Sequence, residues 1–131
     1  MQKTNFEKLD IYRLSEELSD AIWKIVYRWK YLPLHTVGKQ LITAADSIGA
    51  NIAEGAGRGS YADNRRFAII ARGSLFEVKH WLKRSSSREM LTKDELEILV
   101  KFVDELTPRL SAYINSISRK MTNIQRPTTN N

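Results

Sequence analysis

The chain of 131 residues has no cysteine, three prolines, six glycines and no long hydrophobic run. The absence of cysteine excludes a disulfide framework, a cysteine-ligated metal site and a thiol nucleophile. Because glycine and proline are scarce, few positions favour a turn, and this indicates long helices. Because no apolar run approaches the ~18 residues that span a bilayer, and the first residues lack a signal-peptide pattern, we expect a cytoplasmic protein.

The composition is that of one globular domain with a basic surface. A hydrophobic share of 42% provides enough apolar mass for a packed core, so disorder throughout the chain is excluded. Lysine and arginine outnumber aspartate and glutamate by 21 to 15, which gives a net charge of +6. This excess favours anionic partners such as nucleic acid, without identifying one.

Apolar residues recur three or four positions apart in four segments, which is the spacing of amphipathic helices. The predicted helices cover residues 5–31, 36–56, 61–86 and 93–120. Capping-box patterns mark the N-terminus of the first helix at Thr4–Glu7 and that of the fourth helix at Thr92–Glu95. Ser60 precedes the third helix as a cap. With short connections, these helices predict an all-α, antiparallel, up-down-up-down four-helix bundle over residues 1–120, followed by a flexible tail at 121–131.

The first predicted helix carries more apolar surface than one core can cover. Ile11, Tyr12, Trp23, Tyr27 and Trp29 lie on more than one side of it. A surplus apolar face of this kind indicates self-association. The three tryptophans, which include Trp81, are interpreted as packing residues, and the alternative is that they are stacking platforms for nucleic-acid bases.

A row of polar residues lies on one face of the second predicted helix, and a matching pair lies on the third. The row consists of Ser47, Asn51 and Glu54, and the pair consists of Ser74 and Glu77. Buried polar groups must be paired, so we interpret these five as a structural polar network between the two helices. A ligand site at the same place is the alternative.

The sequence pattern that includes these residues also resembles that of a known family. Ser47-Ile-x-x-Asn51-Ile-Ala-Glu54-Gly55, then Arg58, then Ala71-x-Gly73-Ser74-x-x-Glu77 is similar to the signature of the four-helix bundle proteins encoded within intervening sequences of 23S rRNA genes. The accessory variability determinant of diversity-generating retroelements belongs to the same structural group. The resemblance implies a homopentameric ring and carries no established enzymatic activity. For the retroelement relatives it also implies binding of nucleic acid and of a reverse transcriptase.

The positive charge is concentrated on the third predicted helix. Residues 61–90 hold seven basic and three acidic groups, a local charge of +4 out of the total of +6. The candidate nucleic-acid-binding residues are Arg58, Arg65, Arg66, Arg72, Lys79 and Lys83. The helical spacing of Arg65, Arg72, Lys79 and Lys83 forms a stripe that can follow phosphates. Arg66 and Arg58 extend one side of this stripe. The alternative is a solvated helix face whose charges are partly paired with nearby acids.

No residue pattern predicts a catalytic, cofactor or metal site. Glu77 and His80 have the Glu-x-x-His spacing of ferritin-like bundles, but that chemistry needs a second such motif and two further glutamates. The glycines at 55, 57 and 59 follow a helix instead of a strand, so they indicate helix termination instead of a phosphate-binding loop.

We therefore predict a non-enzymatic, oligomeric bundle that binds RNA or DNA with weak sequence specificity. The expected partners are further copies of the chain, RNA or DNA, and a nucleoprotein enzyme such as a reverse transcriptase. The alternative is a protein-interaction scaffold or adaptor that makes no direct contact with nucleic acid.

Overall fold

A computed structural model describes residues 1–2 and 4–125 and contains four long helices and no strand over this part of the chain. They are α1 (Asp10–Val26), α2 (Lys39–Gly57), α3 (Tyr61–Ser87) and α4 (Lys93–Gln125). A 3-10 turn, Asn5–Lys8, precedes α1. A helical turn, Tyr31–Pro33, and a π-helical turn, Leu34–Gly38, lead directly into α2.

Consecutive helices run antiparallel. The end of α1 lies at the beginning of α2, where an added Cβ on Gly38 would be 2.7 Å from Val26. The start of α3 is likewise next to the end of α4, because the Asn64 amide nitrogen is 3.1 Å from the Tyr113 hydroxyl. Helices α1 and α3 each pack against both α2 and α4. The described chain therefore has the predicted helical-bundle architecture.

The core is a continuous apolar column between the helices. It contains one face of each helix, including Leu18, Ile22, Ile48, Leu75 and Leu106, all of which are buried. These positions recur at helical spacing, so the predicted amphipathic stripes are the faces that meet. The burial of the aliphatic stripes is the main stabilising contribution to the fold.

The first predicted helix, 5–31, was wrong at its N-terminal end. The Thr4 N–H donates to Glu7 Oε1 at 3.0 Å, but this box caps the short 3-10 turn, and Leu9 is extended before α1 begins. In one unbroken helix of 3.6 residues per turn, Phe6 and Leu9 would point roughly away from the core face of α1. The break turns Leu9 against the core and places the Phe6 ring 4.9 Å from Tyr12.

The same prediction was wrong at its C-terminal end, because α1 ends at Val26 instead of near residue 31. The chain turns through residues 27–30, and helical structure resumes at Tyr31 instead of at the predicted residue 36. Pro33 therefore lies in the first turn of a helical segment, where its missing N–H has no intrahelical partner to lose.

Helix α4 is longer than predicted. It begins with the expected capping box, in which the Glu95 N–H donates to Thr92 Oγ1 at 3.1 Å and the Thr92 N–H donates to Glu95 Oε1 at 2.9 Å. The helix runs without interruption through Pro108 and reaches Gln125, so residues 121–125 are helical instead of part of a tail. Residues 126–131 of that predicted tail lie outside the described residues.

Two glycines shape the connection between α2 and α3. An added Cβ on Gly55 would be 2.8 Å from Phe67 Cβ, so the absence of a side chain lets the two helices approach. Gly59 has φ +83 and turns the chain in a conformation that favours glycine. The Ser60 hydroxyl then accepts from the Asp63 N–H at 3.1 Å, as the sequence predicts.

Candidate nucleic-acid interface

Four of the six candidate cations form one stripe along the flank of α3 that faces α4. This basic stripe consists of Arg65, Arg72, Lys79 and Lys83. It runs beside the buried positions of α3, and its C-terminal half borders a hollow of ≈ 330 Å³ lined by Lys79, Lys83 and residues of α4. At ~1.5 Å per residue the stripe is about 27 Å long.

The charges of the basic stripe are not neutralised by ion pairs. In residues 1–2 and 4–125, the ion pairs within 4.0 Å involve Arg13, Arg58, Arg66 and Arg109, and none includes a member of the stripe. Arg65 Nε donates to Ser118 Oγ at 2.8 Å, which orients the guanidinium without cancelling its charge. The stripe therefore presents four positive charges beside α4.

The other two candidate cations, Arg58 and Arg66, belong to a different local structure. Arg58 contacts Glu54 at 2.7 Å, and Arg66 contacts Asp63 at 3.6 Å. Both guanidinium groups lie over the Phe67 ring, at 5.0 and 4.7 Å from its centroid. Each of these two arginines therefore has an acidic neighbour and lies at the α2–α3 connection, apart from the four cations of the stripe.

An exposed aromatic ring within the basic stripe was missed by the sequence reasoning. Phe76 is 51% exposed, and its ring centroid is 5.8 Å from Lys79 Nζ. Phe76 follows Arg72 by four residues and precedes Lys83 by seven, and this spacing could have placed it on the stripe. An aromatic ring among cations offers a stacking surface as well as charge.

One carboxylate opposes the stripe. Asp104 of α4 is exposed and lines the same hollow as Lys79 and Lys83. It forms no ion pair within 4.0 Å with either lysine in the described structure. Its negative charge lowers the potential of the C-terminal half of the stripe without neutralising it.

The polar row on α2 forms a small hydrogen-bonded network with α3. Ser47 Oγ lies 3.0 Å from Ser74 Oγ, and the Asn51 side-chain amide donates to Ser47 Oγ at 2.9 Å and to the Ser47 carbonyl at 2.8 Å. Glu54 instead pairs with Arg58. Glu77 is exposed, and in the described residues it has no hydrogen bond to this network. The network thus joins three of the five predicted residues.

Over residues 1–2 and 4–125, no group of three or more His, Cys, Asp or Glu side chains is arranged to hold a metal ion. His80 is exposed, and its ring lies 4.8 Å from that of Trp81. Within the same residues, none of the helices has the length and apolar character needed to span a bilayer.

Comparisons with known proteins agree with this architecture. The family model described as "23S rRNA-intervening sequence protein" matches residues 7–112. The chain is similar to the crystal structure of a protein of unknown function from the S23 ribosomal protein family of Bacteroides thetaiotaomicron VPI-5482. The two are 24% identical with a TM-score of 0.71, and the match covers 79% of this chain and 97% of that chain. No curated protein matches the sequence.

Proposed function

The chain belongs to the family of 23S rRNA-intervening sequence proteins, and we propose that it is a non-enzymatic nucleic-acid-binding accessory protein. The contact surface is the basic stripe of Arg65, Arg72, Lys79 and Lys83, together with Phe76. The single observation that supports this proposal most strongly is that these four cations lie along one helix flank without ion pairs in the described structure.

The physical basis is neutralisation of phosphates. Each phosphate that a lysine or arginine neutralises releases condensed counterions, which favours binding at low salt. Four such contacts give a slope of log K against log salt of about −3 to −4. Contacts to phosphates position a nucleic acid but carry no base information, so we expect weak sequence specificity.

The test is a titration of labelled RNA and DNA oligonucleotides across a salt series. The key variant carries Arg72→Gln, Lys79→Gln and Lys83→Gln, and it leaves Arg65 in place because that residue also bonds Ser118. A control variant with Lys8→Gln, Arg13→Gln and Arg119→Gln removes the same charge elsewhere on the described surface. We expect the key variant to bind much more weakly than wild type and the control to keep most of its affinity. Absence of wild-type binding at low salt would reject the proposal.

We also propose that the protein is a homo-oligomer, in accordance with the pentameric ring that the family resemblance implies. Exposed Ile98 and half-buried Phe102 border a hollow of ≈ 320 Å³ on α4 that does not include the basic stripe. This apolar surface supports contact between copies without covering the stripe. Light scattering on purified protein tests the proposal, and a monodisperse monomer at micromolar concentration would refute it.

The alternative function is a scaffold or adaptor for a protein partner such as a reverse transcriptase. Trp23 and Tyr27, which are exposed near the end of α1, favour this alternative, because aromatic rings are enriched at protein interfaces. Under this alternative, loss of the stripe charges leaves partner capture intact, whereas substitution of the exposed aromatics abolishes it. The two variants therefore separate the two functions.

A further inference from the structure

A segment at one end of the bundle combines cations with exposed rings and contains no acid. Between Asp20 and Asp46 there is no aspartate or glutamate, while Lys24, Arg28, Lys30 and Lys39 are present and exposed. This segment covers the last part of α1, the turn after it and the beginning of α2. Acids lie close by on the N-terminal side, up to Asp20, so the positive charge is local to this segment.

Three aromatic rings lie among these cations and point into solvent. Trp23 is 55% exposed, Tyr27 is 63% exposed and Tyr31 is 78% exposed. Trp29 and Trp81, by contrast, are half-buried and pack against the core. We name Trp23, Tyr27, Tyr31, Lys24, Arg28 and Lys30 the aromatic patch. Of the three tryptophans in the chain, Trp23 alone therefore has an exposed ring suited to stacking.

The backbone under the patch is unusual. A π-helical turn, Leu34–Gly38, follows Tyr31 and places the His35 ring 4.3 Å from the Tyr31 ring. Single π-helical turns are rare and frequently occur at functional sites. Here the turn pairs an exposed tyrosine with a histidine whose ring is tilted by 46° to that of the tyrosine, which adds a further ring beside the patch.

We propose that the aromatic patch binds unpaired bases of single-stranded RNA or DNA. Stacking on aromatic rings flanked by cations is the usual mode of single-strand binding and tolerates any base. A lipid surface is a poorer fit, because a helix that lies in a membrane interface buries a continuous apolar face that includes Leu as well as Trp and Phe. Leu32 is the one exposed aliphatic residue here, whereas three rings are exposed.

This inference rests on the proposed binding of nucleic acid but assigns it a separate surface and a strand preference. The basic stripe lies on α3 beside α4, whereas the patch is built from α1 and the segment leading into α2. The stripe contacts phosphates of single and double strands alike. The patch requires a free base face, so only single strands gain from it.

Two triple variants separate stacking from simple apolar burial. One carries Trp23→Phe, Tyr27→Phe and Tyr31→Phe and keeps three rings. The other carries Trp23→Leu, Tyr27→Leu and Tyr31→Leu and keeps apolar volume without a π face. Both are measured against labelled dT and U homopolymers and against a duplex of the same length, with thermal unfolding as the folding control. Quenching of Trp23 fluorescence by the homopolymer, measured on wild type and on Trp23→Phe, reports stacking directly.

We expect the leucine variant to bind single strands roughly tenfold or more weakly, while its affinity for duplex changes little. The phenylalanine variant should retain most single-strand affinity. The inference is overturned if the leucine variant loses affinity equally for single strands and duplex, or if it keeps its full affinity for single strands. Either result leaves the proposed role of the basic stripe unchanged. If wild type binds neither probe, the proposed function itself fails. A change of subunit number in the leucine variant, or patch-dependent binding to phosphatidylglycerol vesicles without oligonucleotide binding, would also overturn the inference.

Discussion

Ser47 and Ser74 place their hydroxyl oxygens 3.0 Å apart across the interface of α2 and α3. Ser47 also accepts a hydrogen bond from the Asn51 amide, so its hydroxyl is satisfied from both helices. Such a pair fixes the register of two helices, because sliding either helix by one turn leaves partly buried polar groups without partners.

The Ser74→Ala variant should lower the free energy of unfolding by about 1 kcal/mol, because it removes one hydrogen bond at a half-buried site. The double variant with Ser47→Ala should cost less than the sum of the two single changes. Urea unfolding of the four proteins measures this coupling, and the exposed Ser86→Ala serves as the control. Strict additivity would show that the two hydroxyls do not interact.

The sequence places this network only in part. Helical spacing puts Ser47, Asn51 and Glu54 on one face, but spacing cannot show that Glu54 is directed to Arg58 instead. Whether a polar side chain joins the network or pairs elsewhere depends on how deeply its position lies between the helices. Ser47 and Asn51 are half-buried, whereas Glu54 is exposed near the end of α2 and pairs with the arginine one turn later.

Two glycines should respond in opposite ways to alanine. An added Cβ on Gly55 would be 2.8 Å from Phe67 Cβ, so Gly55→Ala should destabilise the fold by about 1–3 kcal/mol through overpacking. Gly73 is exposed within α3 and has no atom within 4 Å of an added Cβ, so Gly73→Ala should stabilise by about 0.5–1 kcal/mol. Thermal or urea unfolding measures both. A stabilising Gly55→Ala would contradict the close approach of α2 and α3.

The sequence alone does not show which glycine lets two helices approach. Gly55 and Gly73 both lie within helices, but Gly55 is buried against α3, whereas Gly73 lies on the exposed side of α3. Small size alone does not show which face of a helix a glycine occupies. The four core stripes were predictable because many apolar residues at the same helical period together define one face. A single small residue gives no such repeated signal of the face on which it lies.

The break at Leu9 illustrates the same limit. Residues 6 and 9 have helical spacing to each other, and so have the core residues of α1, but the two sets differ in phase. If only the three- and four-residue intervals between apolar residues are considered, both sets are predicted to belong to one helix. Only the direction of each residue relative to the core shows that the chain must bend between them.

Neutralisation of Asp104 should strengthen nucleic-acid binding, given the proposed function. Asp104 lines the hollow beside Lys79 and Lys83, so its carboxylate repels an incoming phosphate. We expect Asp104→Asn to raise affinity at low salt by about two- to fivefold, and we expect the gain to shrink as salt rises. Asp20→Asn makes the same charge change on α1, away from the stripe, and is the control, with both variants measured on duplex because duplex gains nothing from the aromatic patch. An equal gain in both variants would indicate an effect of net charge alone.

The last prediction concerns alkaline pH. Burial raises the pKa of the Tyr12 phenol above its usual 10.0, and the nearby Glu16 carboxylate raises it further by charge and by a hydrogen bond. The protonated phenol is therefore favoured in the folded state. The stability that this shift contributes is fully present below the unfolded pKa and is lost as pH rises through the folded pKa. In an alkaline absorbance titration, Tyr12→Phe should remove a late phenolate component, whereas Tyr27→Phe should leave it in place. Loss of the late component in Tyr27→Phe, with none in Tyr12→Phe, would place the shifted phenol elsewhere.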